Sequence, residues 1–465
     1  MVTRDSSISA NGTPGGIPVV LVYAPGGPAP SYALPKVSSV ATVHLLALAP
    51  LPPTAARIAD WHCASVIDAS RDALRGDALV DRIVATAIAT SAKAVLTFSE
   101  YAVVAVAQAC ERLGFRGAGP GAVRARDKLL MRNVWSAAGV PIPAFRAVTD
   151  LAALLAAFDE LSPPVLLKAA WGAGSIGHGL LHRREDVATA WAATCGAVAS
   201  AVACGETELG VAGTQARFLL EERITSTTES WYEQPGYGDY LSVEGLVVDG
   251  HYRPVCITGR LPTIEPFTEL SNQAPCVLPE GLQRAVEATA RQAVDALGLG
   301  TCGTHTELKL MADGGLCLLE SAARLGGAMV TREVETAYGV DLIGALTRAL
   351  LGEDPGLPDE MQVAGASRAA ASVALLATDS HGLPWPNLPI FDAHRVDWQA
   401  LVSEGTRAEV IDDLTISPGA RMPPYDAAAG ALNVAGLLFL DAPDPQTLLA
   451  DTYHVLDGLH ACLAS

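Results

Sequence analysis

The sequence is poor in aromatic residues and in positive charge, has no Cys-x-x-Cys pair, and contains no run of about 18 apolar residues. Each shortage excludes something. Its 465 residues include 31 Lys and Arg against 50 Asp and Glu, and the net charge of −19 argues against general nucleic-acid binding and against docking on an anionic membrane. Nine cysteines spread from Cys63 to Cys462 fit neither a zinc site nor a secreted disulfide framework, so they read as reduced core residues. The opening residues, MVTRDSSISANGTPGG, are polar and lack the apolar stretch of a signal peptide, and a cytoplasmic protein is the expectation. With aromatics at 5% and apolar residues at 50%, alanine and valine must fill much of the interior. A chain of this length exceeds one ordinary core, so roughly two to four domains or subdomains are expected.

What is present starts with an alternation. Residues 1–16 read as a disordered tail. The run IPVVLVYAPGG from Ile17, VHLLALA from Val43, Ala64 to Ala69 and AVLTFSE from Ala94 read as strands, separated by helical stretches at Leu79 to Thr90 and Ala102 to Leu113. That order predicts a parallel sheet covered on both faces, with ligands at the carboxyl ends of its strands. Ser99 and Glu100, which close AVLTFSE, therefore point toward a site, although an exposed loop glutamate is the commoner case.

A basic amphipathic helix follows in RARDKLLMRNVWSAAGVPIPAF, where Arg126, Lys128 and Arg132 stand out in so acidic a chain; a solvated face is the plainer reading. Next, Pro164 to Lys168 reads as a strand, Trp171 to Gly179 as a glycine-rich loop, and His178 to His182 as a returning strand. Gly172, Gly174 and Gly177 spell G-x-G-x-x-G, but a dinucleotide fingerprint needs a helix starting inside the loop and an acidic residue after a second strand. Neither is evident. A glycine loop between two strands can instead fold over a triphosphate, with Lys168 supplying a point charge.

ARFLLEERI is apolar and then abruptly charged, like a connector leaving a core. YLSVEG and the strand beyond it are joined across Asp249-Gly250, a strong hairpin signal, and Glu244 within the first strand reads as an edge or solvent-facing position. GRLPTIEPFTELSNQAPCVLP, with its four prolines, reads as a long functional loop. GLQRAVEATARQAVDALGLG carries Leu282, Val286, Ala290, Val294 and Leu297 at helical spacing and ends on a glycine stop. No internal repeat occurs, and GEDPGLPDE from Gly352 marks a boundary before a more β-rich terminal portion.

The most informative stretch is TCGTHTELKLMADGGLCLLESAARLGGAMVT, residues 301–331, which reads as a hairpin. With the turn centred between Asp313 and Gly314, Glu307 lies opposite Glu320. Leu308 and Leu310 then share the core face with Cys317 and Leu319. Like charges directly opposite cost roughly 0.2 to 1 kcal/mol unless something positive stands between them. A divalent cation would answer that; so would solvation, or Lys309 on the same face.

Taken together, RDKLLMRNVWSAAGVPIPAF, LLKAAWGAGSIGHG, FLLEERI, YLSVEG and HTELKL…LLESAARLGG resemble the ATP-grasp superfamily, from about residue 17 to the C-terminal helix. Within it, the T-E-x-K strand and E-S-A-A-R-L-G-G are most similar to carboxylate–amine ligases that join amino acids into dipeptides. The resemblance implies an α/β fold with an α+β lid, an N-terminal parallel α/β domain at 17–124, a lid region at 125–217, a central catalytic domain at 218–365, and a β-rich portion at 366–465 completing that domain.

It also implies roles. Lys128 and Lys168 would contact ATP phosphates, with Gly174, Ser175 and Gly177 closing over them. Glu221, Glu222 and Ile224 would line the adenine pocket, and Glu307 and Glu320 would hold Mg²⁺, with Mn²⁺ as the substitute. Arg324 would stabilise charge on an acyl phosphate. Glu100 and Glu269 would bind an amino group, and Ser175, Arg324, Gly327 and Ala328 would contact substrate. Small-molecule acid and amine substrates are implied, with no nucleic acid or membrane, and a homodimer is the candidate assembly.

There are departures. Ala322 stands where many ATP-grasp enzymes have a metal-binding asparagine. Glu269-Leu270-Ser271-Asn272 replaces a frequent E-T-G-H, so that Asn272 is a neutral donor in place of a histidine. Ala328 stands where a bulky residue could narrow the amine pocket, which suggests a roomier acceptor site. A biotin carboxylase of the same architecture is the nearest rival, although the M-K-M and R-D-C-S segments are missing. A non-catalytic nucleotide-binding protein of the same fold is the other alternative, and a nicotinamide dehydrogenase fits least.

Overall fold

The computed structural model describes residues 16–171, 178–203, 218–265, 268–426 and 433–464. The N-terminal strands β1 (Pro18–Tyr23), β2 (Thr42–Ala47), β3 (Cys63–Asp68) and β4 (Ala94–Thr97) form a parallel sheet in the order β3-β2-β1-β4. Alternation along β1 explains its continuous apolar run. Val19 and Leu21 enter one layer with Leu34 and Val37, while Val20 and Val22 enter the opposite one with Val80 and Ile83. The first of these layers also contains Leu246, Leu325 and Val334, which joins the domain to the rest of the chain.

A second four-stranded sheet follows, β5 (Phe145–Val148), β6 (Val165–Ala169), β7 (Gly179–Leu181) and β8 (Phe218–Glu222), in the order β5-β8-β6-β7 and antiparallel. The third sheet has eight strands. Its members are β9 (Tyr240–Val248), β10 (His251–Arg260), β11 (Ser271–Ala274), β12 (Cys302–Leu310), β13 (Leu316–Ala322) and β14 (Ala369–Leu375). A small pair of β15 (Ile390–Phe391) and β17 (Ala420–Arg421) stands apart, while β16 (Arg407–Val410) and β18 (Gly436–Ala442) complete the large sheet. The order is β13-β12-β9-β10-β11-β14-β18-β16, antiparallel throughout.

Local chemistry sets the joints. Asp249 (φ 47°) and Gly250 (φ 82°) both take the left-handed conformation that a two-residue hairpin turn requires. Helix Glu280–Leu297 lays Val286, Ala290, Val294 and Leu297 on the large sheet and stops at Gly298, whose left-handed conformation frees the chain to turn away.

Three expectations need correction. Ser271–Ala274 is strand rather than loop, and it bridges β10 to β14, so the C-terminal strands continue the central sheet. Glu244 is not at an edge: β9 lies between β12 and β10, and the residue is fully buried. Arg126, Lys128 and Arg132 do not form a solvated face, being only 2%, 8% and 1% exposed. No helix among the described residues is long and apolar enough to cross a membrane.

Candidate active site

The opposed glutamates of the hairpin are the centre of the site. Glu307 faces Glu320 across β12 and β13, as the pairing from the sequence requires. Toward the tip the register slips by one residue, because the turn centres on Asp313 and Leu319 is the extra residue of a bulge. Leu308 therefore faces Leu318, which is fully buried in the core, and Leu319 lines a cleft instead of packing inward. Both plain readings of the carboxylates lose ground. Lys309 is engaged by Asp239 at 2.8 Å, and the two glutamate side chains are only 17% and 33% exposed.

Three further segments bring cations to this cleft of about 840 Å³. The basic segment breaks at Asp127, whose extended backbone ends helix Gly121–Arg126 and whose side chain accepts from Leu129 N and Leu130 N to start helix Lys128–Ala137. Trp171 Nε1 donates to the other oxygen of Asp127 at 2.8 Å. Lys128 is thereby the first residue of a helix, its N–H on Ala170 O and its Nζ 3.0 Å from Glu320 Oε2. Burial works against charge on Glu320, but Lys128, Lys168 and Arg324 outweigh it and hold the carboxyl at about 2.

Lys168, on β6, meets Glu221 on β8; Arg132 reaches the same carboxylate at 3.1 Å and donates to Leu319 O at 2.7 Å. Burial opposes ionisation of Glu221 too, and the two cations bring it down to about 2. Glu221, Glu222 and Ile224 all line the cleft, but the Glu221 carboxylate is spent on Lys168 and Arg132. Any adenine contact from it must come from the backbone.

On the opposite wall Arg324, just beyond β13, donates Nε to Glu100 Oε2 at 2.7 Å and Nη1 to Leu325 O at 3.0 Å. Glu269 lines the same cleft with a 44% exposed side chain, 3.5 Å from Arg260. Three expected residues lie away from the lining. Asn272 pairs with Arg260 across β10 and β11, one strand further out. Gly327 and Ala328 meet the N-terminal loop instead: Ala328 forms a bridge with Pro28 and takes φ 50°. Gly174, Ser175 and Gly177 lie outside the described residues.

Sequence reasoning missed the groups behind the facing glutamates. His305 Nε2 is 3.0 Å from Glu307 Oε1, and its Nδ1 is 2.7 Å from Glu244 Oε1, which also accepts from Thr258. Burial disfavours the imidazolium, yet Glu244 and Glu307 together push it up to about 9. The signal was available: His305 precedes Glu307 by two residues, so both side chains share one face of β12. Arg260, 4.0 Å from Glu307 and stacked over Tyr240, gave no such signal.

A hard divalent cation fits this arrangement. Two facing carboxylates are an oxygen-only donor set, and among the described residues no group of three His, Cys, Asp or Glu side chains forms a complete cage. That suits Mg²⁺, which is usually held by one or two carboxylates, waters and substrate phosphates.

These features define the class by architecture: the chain has the ATP-grasp fold. No protein-family model matches it. It is 36% identical over 283 residues to the alanine–anticapsin ligase of Bacillus subtilis (strain 168), a match covering 60% of this chain and 59% of the ligase. In structure it resembles the L-amino acid ligase from Bacillus licheniformis, with TM-score 0.73 at 19% identity over 95% of this chain and 98% of that one. The biotin carboxylase domain of Hydrogenobacter thermophilus 2-oxoglutarate carboxylase, solved with MgADP and bicarbonate, gives TM-score 0.64 at 17% identity, covering 92% and 86%.

Proposed function

We propose that the protein is an ATP-dependent ligase that joins a carboxylate to an amine, both from amino acids, through an acyl phosphate, releasing ADP and phosphate. One observation carries this reading: Lys128, Lys168, Arg324 and the facing Glu307 and Glu320 line one cleft. The 36% identity to an alanine–anticapsin ligase favours it over the carboxylase reading.

The chemistry asks for these groups. A carboxylate becomes an acyl donor only when one oxygen is made a good leaving group, so the γ-phosphoryl passes to it before the amine attacks. Mg²⁺ bound by Glu307 and Glu320 would supply charge neutralisation for that transfer, with Mn²⁺ as a substitute. Lys128 and Lys168 bind and orient the phosphates. Arg324 presents Nη2, which has no protein partner among the described residues, to the anionic acyl group. Glu269, open to the cleft beside Arg260, is positioned to accept an ammonium group before it loses its proton.

The test is a screen of amino-acid pairs with ATP and Mg²⁺, recording phosphate release and product mass. Amine-dependent phosphate with a dehydrated conjugate is the expected result; bicarbonate-dependent ADP release without an amine would make it a carboxylase. Size-exclusion chromatography with light scattering tests the homodimer, and fractionation of native cells tests cytoplasmic residence.

A further inference from the structure

Arg126 has no part in the chemistry above, yet it is among the most enclosed charges in the molecule. It ends helix Gly121–Arg126, and its side chain is 1% exposed. The guanidinium carbon lies 6.0 Å from the ring centroid of Tyr101 and 5.5 Å from that of Trp171. Its Nε is 3.7 Å from Glu100 Oε1, while the other oxygen of that carboxylate takes the 2.7 Å hydrogen bond from Arg324 Nε. One carboxylate thus stands between two guanidiniums, of which Arg324 lines the cleft and Arg126 does not.

The three groups come from three parts of the chain: the loop after β4, the break before Lys128, and the segment after β13. Two guanidiniums and one carboxylate leave a single net positive charge, the sign that suits an anionic acyl phosphate. A glutamate has three rotatable side-chain bonds, and with one partner it can swing. With Oε1 drawn to the Arg126 guanidinium as an ion pair and Oε2 hydrogen-bonded to Arg324, the swing is restrained, and with it the Arg324 edge.

On the ligase reading, we propose that Arg126 is a positioning residue: it fixes Glu100, and through Glu100 the orientation in which Arg324 offers Nη2 to the reacting group. Glu100 on this account serves Arg324 ahead of a substrate amine. Lysine cannot take the place of Arg126, because a compact ammonium neither lies against two rings nor reproduces the planar fork.

The test uses the full chain as Arg126→Gln, Arg126→Lys, Glu100→Gln and the Arg126→Gln/Glu100→Gln double variant. Phosphate release is followed with MgATP and an equimolar mixture of the twenty L-amino acids, together with melting curves and crystal structures of the wild type and Arg126→Gln. A misplaced catalytic group can cost about 100-fold, so Arg126→Gln should lose about that in kcat with KM for ATP changed less than threefold. Arg126→Lys should lose nearly as much, and the double variant little more than Glu100→Gln alone. In the crystal of Arg126→Gln, or of Arg126→Lys if the first does not fold, Glu100 should have left Arg324 Nε. Losses that multiply in the double variant, or a Glu100–Arg324 bond unchanged in the crystal, would overturn the proposal. A wild type inactive on the mixture would sink the ligase reading instead, and the crystallographic comparison would still decide the role of Arg126.

Discussion

Glu221 and Glu320 are both carboxylates paired with a lysine, and both are held at about 2, yet the molecule uses them differently. Glu221 is 3% exposed and shared by two cations, Lys168 and Arg132. Glu320 is 33% exposed, has Lys128 alone as its ion-pair partner among the described residues, and faces another carboxylate. The first is closed at the carboxylate: both Glu221 oxygens are taken, which locks β6, β8 and helix Lys128–Ala137 together while Lys168 still lines the cleft. The second is open, and its remaining oxygen atoms are available to a ligand. Identical residue types thus divide into scaffold and site according to how many cations reach them and how much water does.

That contrast can be broken by removing one charge at a time. Glu320→Gln and Glu307→Gln should each lower amine-dependent ADP release by about 10³-fold or more, with the fold intact as read by circular dichroism. Full activity in either variant would end the metal assignment. Glu221→Gln should do the reverse in kind, costing about 3 to 5 kcal/mol in urea unfolding, because it leaves Lys168 and Arg132 enclosed with too little negative charge. The pH dependence sharpens this. The folded-state value of Glu221 lies below its usual 4.5, so its stabilisation is full above that pH and lost as pH falls toward 2. The slope of stability against pH over that window should flatten in Glu221→Gln.

A third enclosed carboxylate completes the series. Glu333 accepts from Ser372 N and Oγ, forms no ion pair among the described residues, and burial pushes it up to about 8. Its sign is opposite: the folded state holds a proton that the unfolded chain releases above 4.5, so its contribution worsens as pH rises from about 4.5 to 8. Glu333→Gln should therefore stabilise the protein by on the order of a few kcal/mol at pH 8 and much less at pH 5, as read from melting curves at the two pH values.

Periodicity made much of the architecture legible. The parallel strands, the Asp249-Gly250 hairpin, helix Glu280–Leu297 and the facing of Glu307 and Glu320 follow from alternation of two, spacing of 3.6, and turn chemistry. What the sequence concealed was partnership across distance. Arg126 and Arg132 look like surface cations until Glu100 and Glu221, remote in sequence, arrive to bury them. Glu244 looks like an edge residue because only the third dimension supplies His305. Ser271–Ala274 reads as loop because prolines surround it, and it becomes a strand because two strands lie unpaired on either side. The bulge at Leu319 was invisible for another reason: an inserted residue alters no composition, only phase.

That bulge carries more than a correction of register. The surplus residue stands outside the β12–β13 pairing, and Arg132 takes its backbone carbonyl while also gripping Glu221 beside Lys168. Lys168 and the paired glutamates are thus gauged from one common datum, a single peptide oxygen on the hairpin.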